Sequence, residues 1–183
     1  KRLKKDYSKS RERKTEIRIF DDVDAKKVVI RNTKLYVNRV EGFVGTSMRK
    51  DEYVCDCSDI DDIIVFTENG KMIITKVDAK TFIEKNIIHV AVFKRKDKRT
   101  IYNMIYKEAD KGYSYLKRFP VHGITRDKLY SLIKSKKDGV VKYFSANPNG
   151  EAEKVTINLR SNSKLKKLKW DVDFSDYMIK GRM

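Results

Sequence analysis

The sequence predicts an all-β protein built from repeated four-stranded, propeller-type blades. Two observations carry the all-β expectation: short runs rich in Val, Ile, Tyr and Phe are separated by clusters of Asp, Asn, Gly and Lys, and no stretch of ten or more residues keeps a helical period. A third, an apparent internal repeat, predicts the blades.

The elements follow in chain order. Residues 1–16 read as a basic arm or the end of an upstream region. The first 14, KRLKKDYSKSRERK, hold eight basic and two acidic side chains and almost nothing apolar. From Ile17 the expected strands are IRIF (17–20), KVVIR (27–31), KLYVNRV (34–40), EYVCDC (52–57), DIIVF (62–66) and KMIITKV (71–77). IIHVAVF (87–93), TIYNMIY (100–106), YSYLKRF (113–119), LYSLI (129–133), GVVKYF (139–144) and KVTINL (154–159) continue the series. Asn69-Gly70, between DIIVF and KMIITKV, is a strong hairpin signal. The terminal DVDFSDYMIKGRM alternates Val172 and Phe174 with polar neighbours, as an opening strand would.

The stretch LYVNRVEGFVGTSMRKDEY resembles SYLKRFPVHGITRDKLY in layout. Tyr36 corresponds to Tyr115, Arg39 to Arg118 and Thr46 to Thr125; further on, Phe66 corresponds to Phe144 and Gly70 to Gly150. The expected organisation is a first blade over 17–86, a second over 87–168, and the start of a truncated third over 169–183. Two modules and a stub would form part of a larger disc, each sheet burying a face on its neighbour.

Composition narrows the function. Lys and Arg total 43 against 26 Asp and Glu, a net charge of +17. That imbalance favours a polyanionic partner, nucleic acid first and an anionic membrane surface second. No apolar segment is long enough to span a membrane and no secretory h-region is evident, so a cytoplasmic location is expected. The two cysteines resemble no disulfide framework.

Candidate chemistry is sparse. Cys55 and Cys57 share a strand face but lack the further ligands a zinc site needs, and read as small buried side chains. Asp59, Asp61 and Asp62 could attract a hard cation, yet their spacing suits a turn before IIVF and lacks the Gly and Glu of a calcium loop. His89 lies inside a strand run and reads as structural, whereas His122 sits in a turn among basic residues where it could meet a phosphate. GFVGTS is no phosphate-binding loop, and no nucleophile motif is evident. No catalytic residue, metal site or cofactor is therefore expected.

What remains is the basic decoration of the turns in SMRKDE, FKRKDKRT, ITRDKLY and IKSKKDG. Lys also keeps strand edges soluble, but that role does not call for a net excess of cations. Most Tyr and Phe alternate in phase with Val and Ile and read as core, so contact with the backbone of duplex DNA fits better than base stacking. The candidate contacts are Arg39, Arg49, Lys50, Lys94, Arg95, Lys98, Arg99, Arg118, Arg126 and Lys128. The rival readings are a propeller-like interaction platform for acidic protein partners and, less well supported for want of chemistry, a freestanding enzyme.

Several long runs carry a family resemblance: LYVNRVEGFVGTS, DEYVCDCSDIDDIIVFTENGKMIITKV, IIHVAVFKRKDKRTIYNMIYKE, RFPVHGITRDKLYSL, SANPNGEAEKVTINLR and DVDFSDYMIKGR. Together they resemble the C-terminal domain of the A subunits of bacterial gyrase and topoisomerase IV, over nearly the whole chain. The resemblance implies a β-pinwheel, a propeller-like disc whose basic rim binds and bends double-stranded DNA within a type IIA DNA topoisomerase, an ATP-dependent DNA isomerase. It also implies two protein partners, the remainder of the A subunit and the ATPase B subunit. The gyrase signature Gln-Arg-Arg-Gly-Gly-Lys-Gly is absent; VEGFVGTS occupies the comparable loop and IKGRM is a degenerate echo. The closer likeness is thus to topoisomerase IV. The family's catalytic tyrosine, magnesium-binding carboxylates and ATPase site belong to upstream or partner regions.

Overall fold

The computed structural model describes residues 33–110, 112–123, 125–133, 139–161 and 166–180. The basic arm and the runs IRIF and KVVIR lie outside them. The strands are β1 (Thr33–Asn38), β2 (Phe43–Gly45), β3 (Glu52–Cys57), β4 (Asp62–Thr67), β5 (Lys71–Lys76), β6 (Thr81–Phe82) and β7 (Ile87–Phe93). They continue with β8 (Ile101–Lys107), β9 (Ser114–Pro120), β10 (Tyr130–Ser131), β11 (Val140–Asn147), β12 (Lys154–Asn158) and β13 (Lys169–Asp173). The described residues add one 3-10 turn, Phe174–Asp176, and no α-helix. The all-β expectation holds.

Every ladder is antiparallel, and the strands form four small sheets: β3-β1-β2-β6, β10-β5-β4-β7, β11-β8-β9 and β12-β13. Their connectivity repeats. Each of the first three begins with a consecutive pair (β1-β2, β4-β5, β8-β9), and a later strand (β3, β7, β11) adds beside the pair's first member. The chain leaving the next pair returns to the earlier sheet. Thus β6 follows β4-β5 yet pairs with β2, and β10 follows β8-β9 yet pairs with β5. After β12-β13 the same return begins, since Lys180 N donates to Arg118 O of β9 at 2.8 Å. Sheet membership consequently runs across residue 86: β4 and β5 precede it, while β7 and β10 follow it. Likewise β13 pairs with β12, ahead of residue 168, with Val155 opposite Val172.

The second sheet is the middle layer. Every residue of β4 is buried, and its two faces feed different cores. Ile63 and Val65 join Leu35, Val37, Val44 and Cys57 against the first sheet; Ile64 and Phe66 join Tyr102, Met104 and Phe119 against the third. A strand covered on both faces needs a continuous apolar run, which DIIVF supplies. Full burial of Ile or Phe is worth about 1.5–3 kcal/mol per side chain, so this strand anchors both interfaces.

Two glycines explain local geometry. Asn69-Gly70 does close β4 onto β5, but through a three-residue loop in which Gly70 adopts φ +75° and its N–H reaches Thr67 O at 3.0 Å. Asn147-Pro148-Asn149-Gly150 repeats that turn, with Gly150 at φ +76° and the same bond to Asn147 O. There, however, the chain passes to another sheet. Gly45 ends β2, a strand that GFVGTS conceals; a Cβ on it would lie 2.2 Å from Ala79 O, so only glycine lets the chain after β5 cross so closely.

Candidate nucleic-acid interface

The candidate surface is built from loops at the ends of the middle and third sheets. The connection from β7 to β8 reads KRKDKR over residues 94–99, five cations and one carboxylate. Asp97 shapes it: its carboxylate accepts from Arg99 N at 2.9 Å and from Thr100 Oγ1 at 2.7 Å. Those bonds, the Arg99 amide first, hold the Asp97 carboxyl below the usual range. Lys96 takes φ +62° and donates its N–H to His122 O, while His122 Nδ1 lies 3.0 Å from Asp97 O. His122 therefore latches this loop to the segment after β9. Lys94, Arg95, Lys96, Lys98 and Arg99 are left exposed.

Asp62 ties in the segment that follows. It opens β4 opposite Lys76 and Phe93, and its side chain is 1% exposed. Arg126 meets it through Nε at 2.7 Å and Nη2 at 3.0 Å, and Arg95 Nε lies 3.5 Å away. One buried carboxylate thus gathers two guanidiniums from separate loops. Lys128 is exposed nearby in sequence, with Nζ 5.4 Å from the centre of the Tyr130 ring.

The ten candidate cations divide accordingly. Arg49, Lys50, Lys94, Arg95, Lys98, Arg99 and Lys128 are exposed, with Arg49 and Lys50 apart in the connection from β2 to β3. Arg126 is shared between Asp62 and solvent. The other two hold the fold. Arg39 clasps Glu52 through two 2.7 Å bonds and donates to Ile87 O and Ile88 O; the Glu52 bond raises its pKa and lowers that of Glu52. Arg118 is only 7% exposed. It donates to Asn103 Oδ1 and Phe174 O at 3.0 Å, and to Tyr177 O and Gly150 O at 3.3 Å.

Arg118 belongs to a polar network on the outer face of the third sheet. Asn103 Nδ2 donates to Glu153 at 2.9 Å, and Tyr143 and Ser145 donate to the same carboxylate. Burial opposes ionisation of Glu153, but these bonds and a backbone N–H outweigh it and hold its carboxyl below the usual range. Such networks are stable only when fully satisfied, so Arg118 is committed. Lys96 and Lys76 join the exposed cations, and sequence reasoning misses both. The signals that mark them are a basic turn for Lys96 and a place opposite Asp62 for Lys76.

The remaining candidates are placed by packing. Asp61 closes a turn by accepting from Ser58 N at 3.0 Å, and Ser58 Oγ donates to Asp59. Cys55 and Cys57 lie on β3, half-buried and buried. His89 packs against Phe66, Phe144 and Tyr102 at 5.9, 5.4 and 6.3 Å between ring centres. Burial pushes its imidazole down to about 4, with Arg39 adding a smaller effect. No group of three or more His, Cys, Asp or Glu among the described residues could hold a metal, and no helix among them is long and apolar enough to cross a membrane.

Residues 34–183 match the family model described as Topoisomerase C-terminal domain, Bacteroidota. The chain is 34% identical over 143 residues to the A subunit of DNA topoisomerase 4 from Borreliella burgdorferi, covering 78% of this chain and 22% of that protein. No solved structure matches.

Proposed function

The chain belongs to the topoisomerase C-terminal domain family, and from that premise we propose that it is the duplex-binding module of a type IIA topoisomerase of the topoisomerase IV kind. It grips the DNA backbone without reading sequence and bends the duplex, so that the enzyme processes some DNA geometries better than others. The sheets act as blades of a β-pinwheel, and the remainder of the A subunit and an ATPase B subunit complete the enzyme. The observation that carries this reading is the loop 94–99, five exposed cations on a frame fixed by Asp97 and His122, with Arg95 and Arg126 gathered on Asp62 beside it.

Physically, such a surface needs no base contacts. Each phosphate met by a Lys or Arg releases condensed counterions, which supplies affinity independent of sequence. Added phosphate contacts on a curved surface offset the elastic cost of bending, of order 1–6 kcal/mol for a smooth bend in a short site. The test is duplex binding across a salt series. If about six to ten phosphates are neutralised, log K falls against log salt with a slope of roughly −5 to −9. A slope near zero, or selection of one short sequence, refutes the reading. Indifference to DNA with retention of an acidic protein would point to an interaction platform instead.

A further inference from the structure

A cleft of about 340 Å³ opens between β7 and the turn after β11, where the second sheet meets the third. Its size falls near the lower end of ligand cavities, about 300–1,000 Å³. His89 and Tyr102 line it, Tyr102 with only 6% of its surface exposed, and both rings pack on Phe144 at 5.4 and 5.8 Å. Ala91 and Ala146 form its sides, small residues that leave the space open. Lys94 and Arg99 line it from the cationic loop, and Asn149 from the opposite turn.

The combination is chemically selective. The His89 imidazole is neutral at pH 7, because burial holds it down to about 4, so the aromatic lining carries no charge. The loop beside it carries five cations against Asp97, whose oxygens are already taken by the Arg99 amide and the Thr100 hydroxyl. A planar aromatic body with an attached anion suits both the apolar and the cationic half; a simple alkyl acid answers only the second. Nucleotides have that form. A base stacked inside an intact duplex cannot enter such a cleft, whereas an unpaired one costs little to turn outward.

We infer that this cleft receives the base of one unpaired nucleotide of a bound DNA strand, beside His89 and Tyr102, with Lys94 and Arg99 on the adjoining phosphates. The inference rests on the duplex-backbone reading, which brings a strand to the loop 94–99. It makes the module a detector of local strand opening as well as a backbone clamp.

The experiment compares three duplexes of equal length bound to the 183-residue chain: fully paired, carrying one bulged adenine, and carrying one bulged abasic nucleotide. The abasic bulge supplies the same flexibility without a base. The adenine bulge is expected to bind roughly fivefold or more tightly than the abasic one, the lower range for stacking one base on aromatic side chains. Replacing the adenine by 2-aminopurine should show its fluorescence change on binding. Ala91→Leu and Ala146→Leu, each melting as the parent does, should abolish the adenine preference while leaving affinity for paired DNA unchanged. Equal affinity for the two bulges, or a preference that survives both filled variants, overturns the inference. Failure to bind any of the three duplexes instead overturns the duplex-backbone reading, and this inference with it.

Discussion

Replacing Arg118 by methionine separates its role in the fold from a role at the DNA surface. In the structure its guanidinium is almost wholly buried and donates to four acceptors, one of them the Asn103 side chain and three of them backbone carbonyls. Methionine fills much of the volume but leaves Phe174 O, Tyr177 O and Gly150 O without that donor. Hydrogen bonds to a charged group contribute about 1.5–3 kcal/mol each, and unsatisfied buried acceptors cost about 1–3 kcal/mol. These terms are not additive, and removing a buried charge recovers part of its desolvation. A net loss of about 3–5 kcal/mol is expected. At roughly 2–4 °C per kcal/mol for a chain of this size, Tm falls by about 6–20 °C. Thermal unfolding followed by circular dichroism measures this, and Trp170, the sole tryptophan, reports on β13 through its fluorescence. Arg99→Met, at an exposed loop position, is the control and should leave Tm nearly unchanged while weakening DNA binding. An Arg118→Met protein that melts with the parent but binds DNA less well would refute the assignment of Arg118 to the fold.

Other expectations follow from the same geometry. Replacing Lys94, Lys98 and Arg99 together by alanine should leave Tm unchanged and reduce the salt slope of duplex binding by roughly one for each phosphate no longer neutralised, measured by titration at several salt concentrations. Gly70→Ala should cost about 1–3 kcal/mol in urea unfolding, since φ is +75° and the new Cβ would lie 2.3 Å from Ile133 Cδ1; Gly123→Ala, with no neighbouring atom within 4 Å, should cost little. His89 is held near 4 in the fold against 6.5 ordinarily, so between those values the unfolded chain binds the extra proton. Stability should therefore fall as pH drops from about 6.5 to 4, by roughly 3 kcal/mol in all, and His89→Phe should remove that component in urea titrations at pH 7 and pH 4.5.

The strands were legible where local pattern decides them. DIIVF, IIHVAVF and KVTINL announce themselves through β-branched residues, and the hairpin at Gly70 through its turn chemistry. β2 escaped notice because Phe43-Val44-Gly45 lies between Gly42 and Thr46, where glycines suggest a loop. Only the crossing chain at Ala79 explains Gly45. Which strands share a sheet was not legible, because pairing of β5 with β10 depends on residues nearly 60 positions away. The charge predicts a polyanionic partner but does not sort the cations. Arg118 looks like any arginine near a turn. Its clue is a partner: Asn103 interrupts the apolar IYNMIY on the face of Ile101 and Ile105, a polar residue that burial obliges to find company. Arg39 offered a parallel clue through its correspondence with Arg118. Each donates to carbonyls of a later segment that returns an N–H to the arginine's own carbonyl, from Ile87 and Lys180 respectively.

The returning strands also order events in time. As the chain is synthesised, the first sheet gains its outer strand only when Thr81 and Phe82 have emerged, and the second waits for Tyr130 and Ser131. Neither of these two sheets is finished by its own hairpin; each is sealed by a strand made after the next one. Growth therefore resembles a row of latches, in which the newest hairpin is always provisional and the one before it has just been locked. A stop or a cut late in the chain weakens the sheet behind it, and the consequence of damage travels toward the amino end rather than away from it.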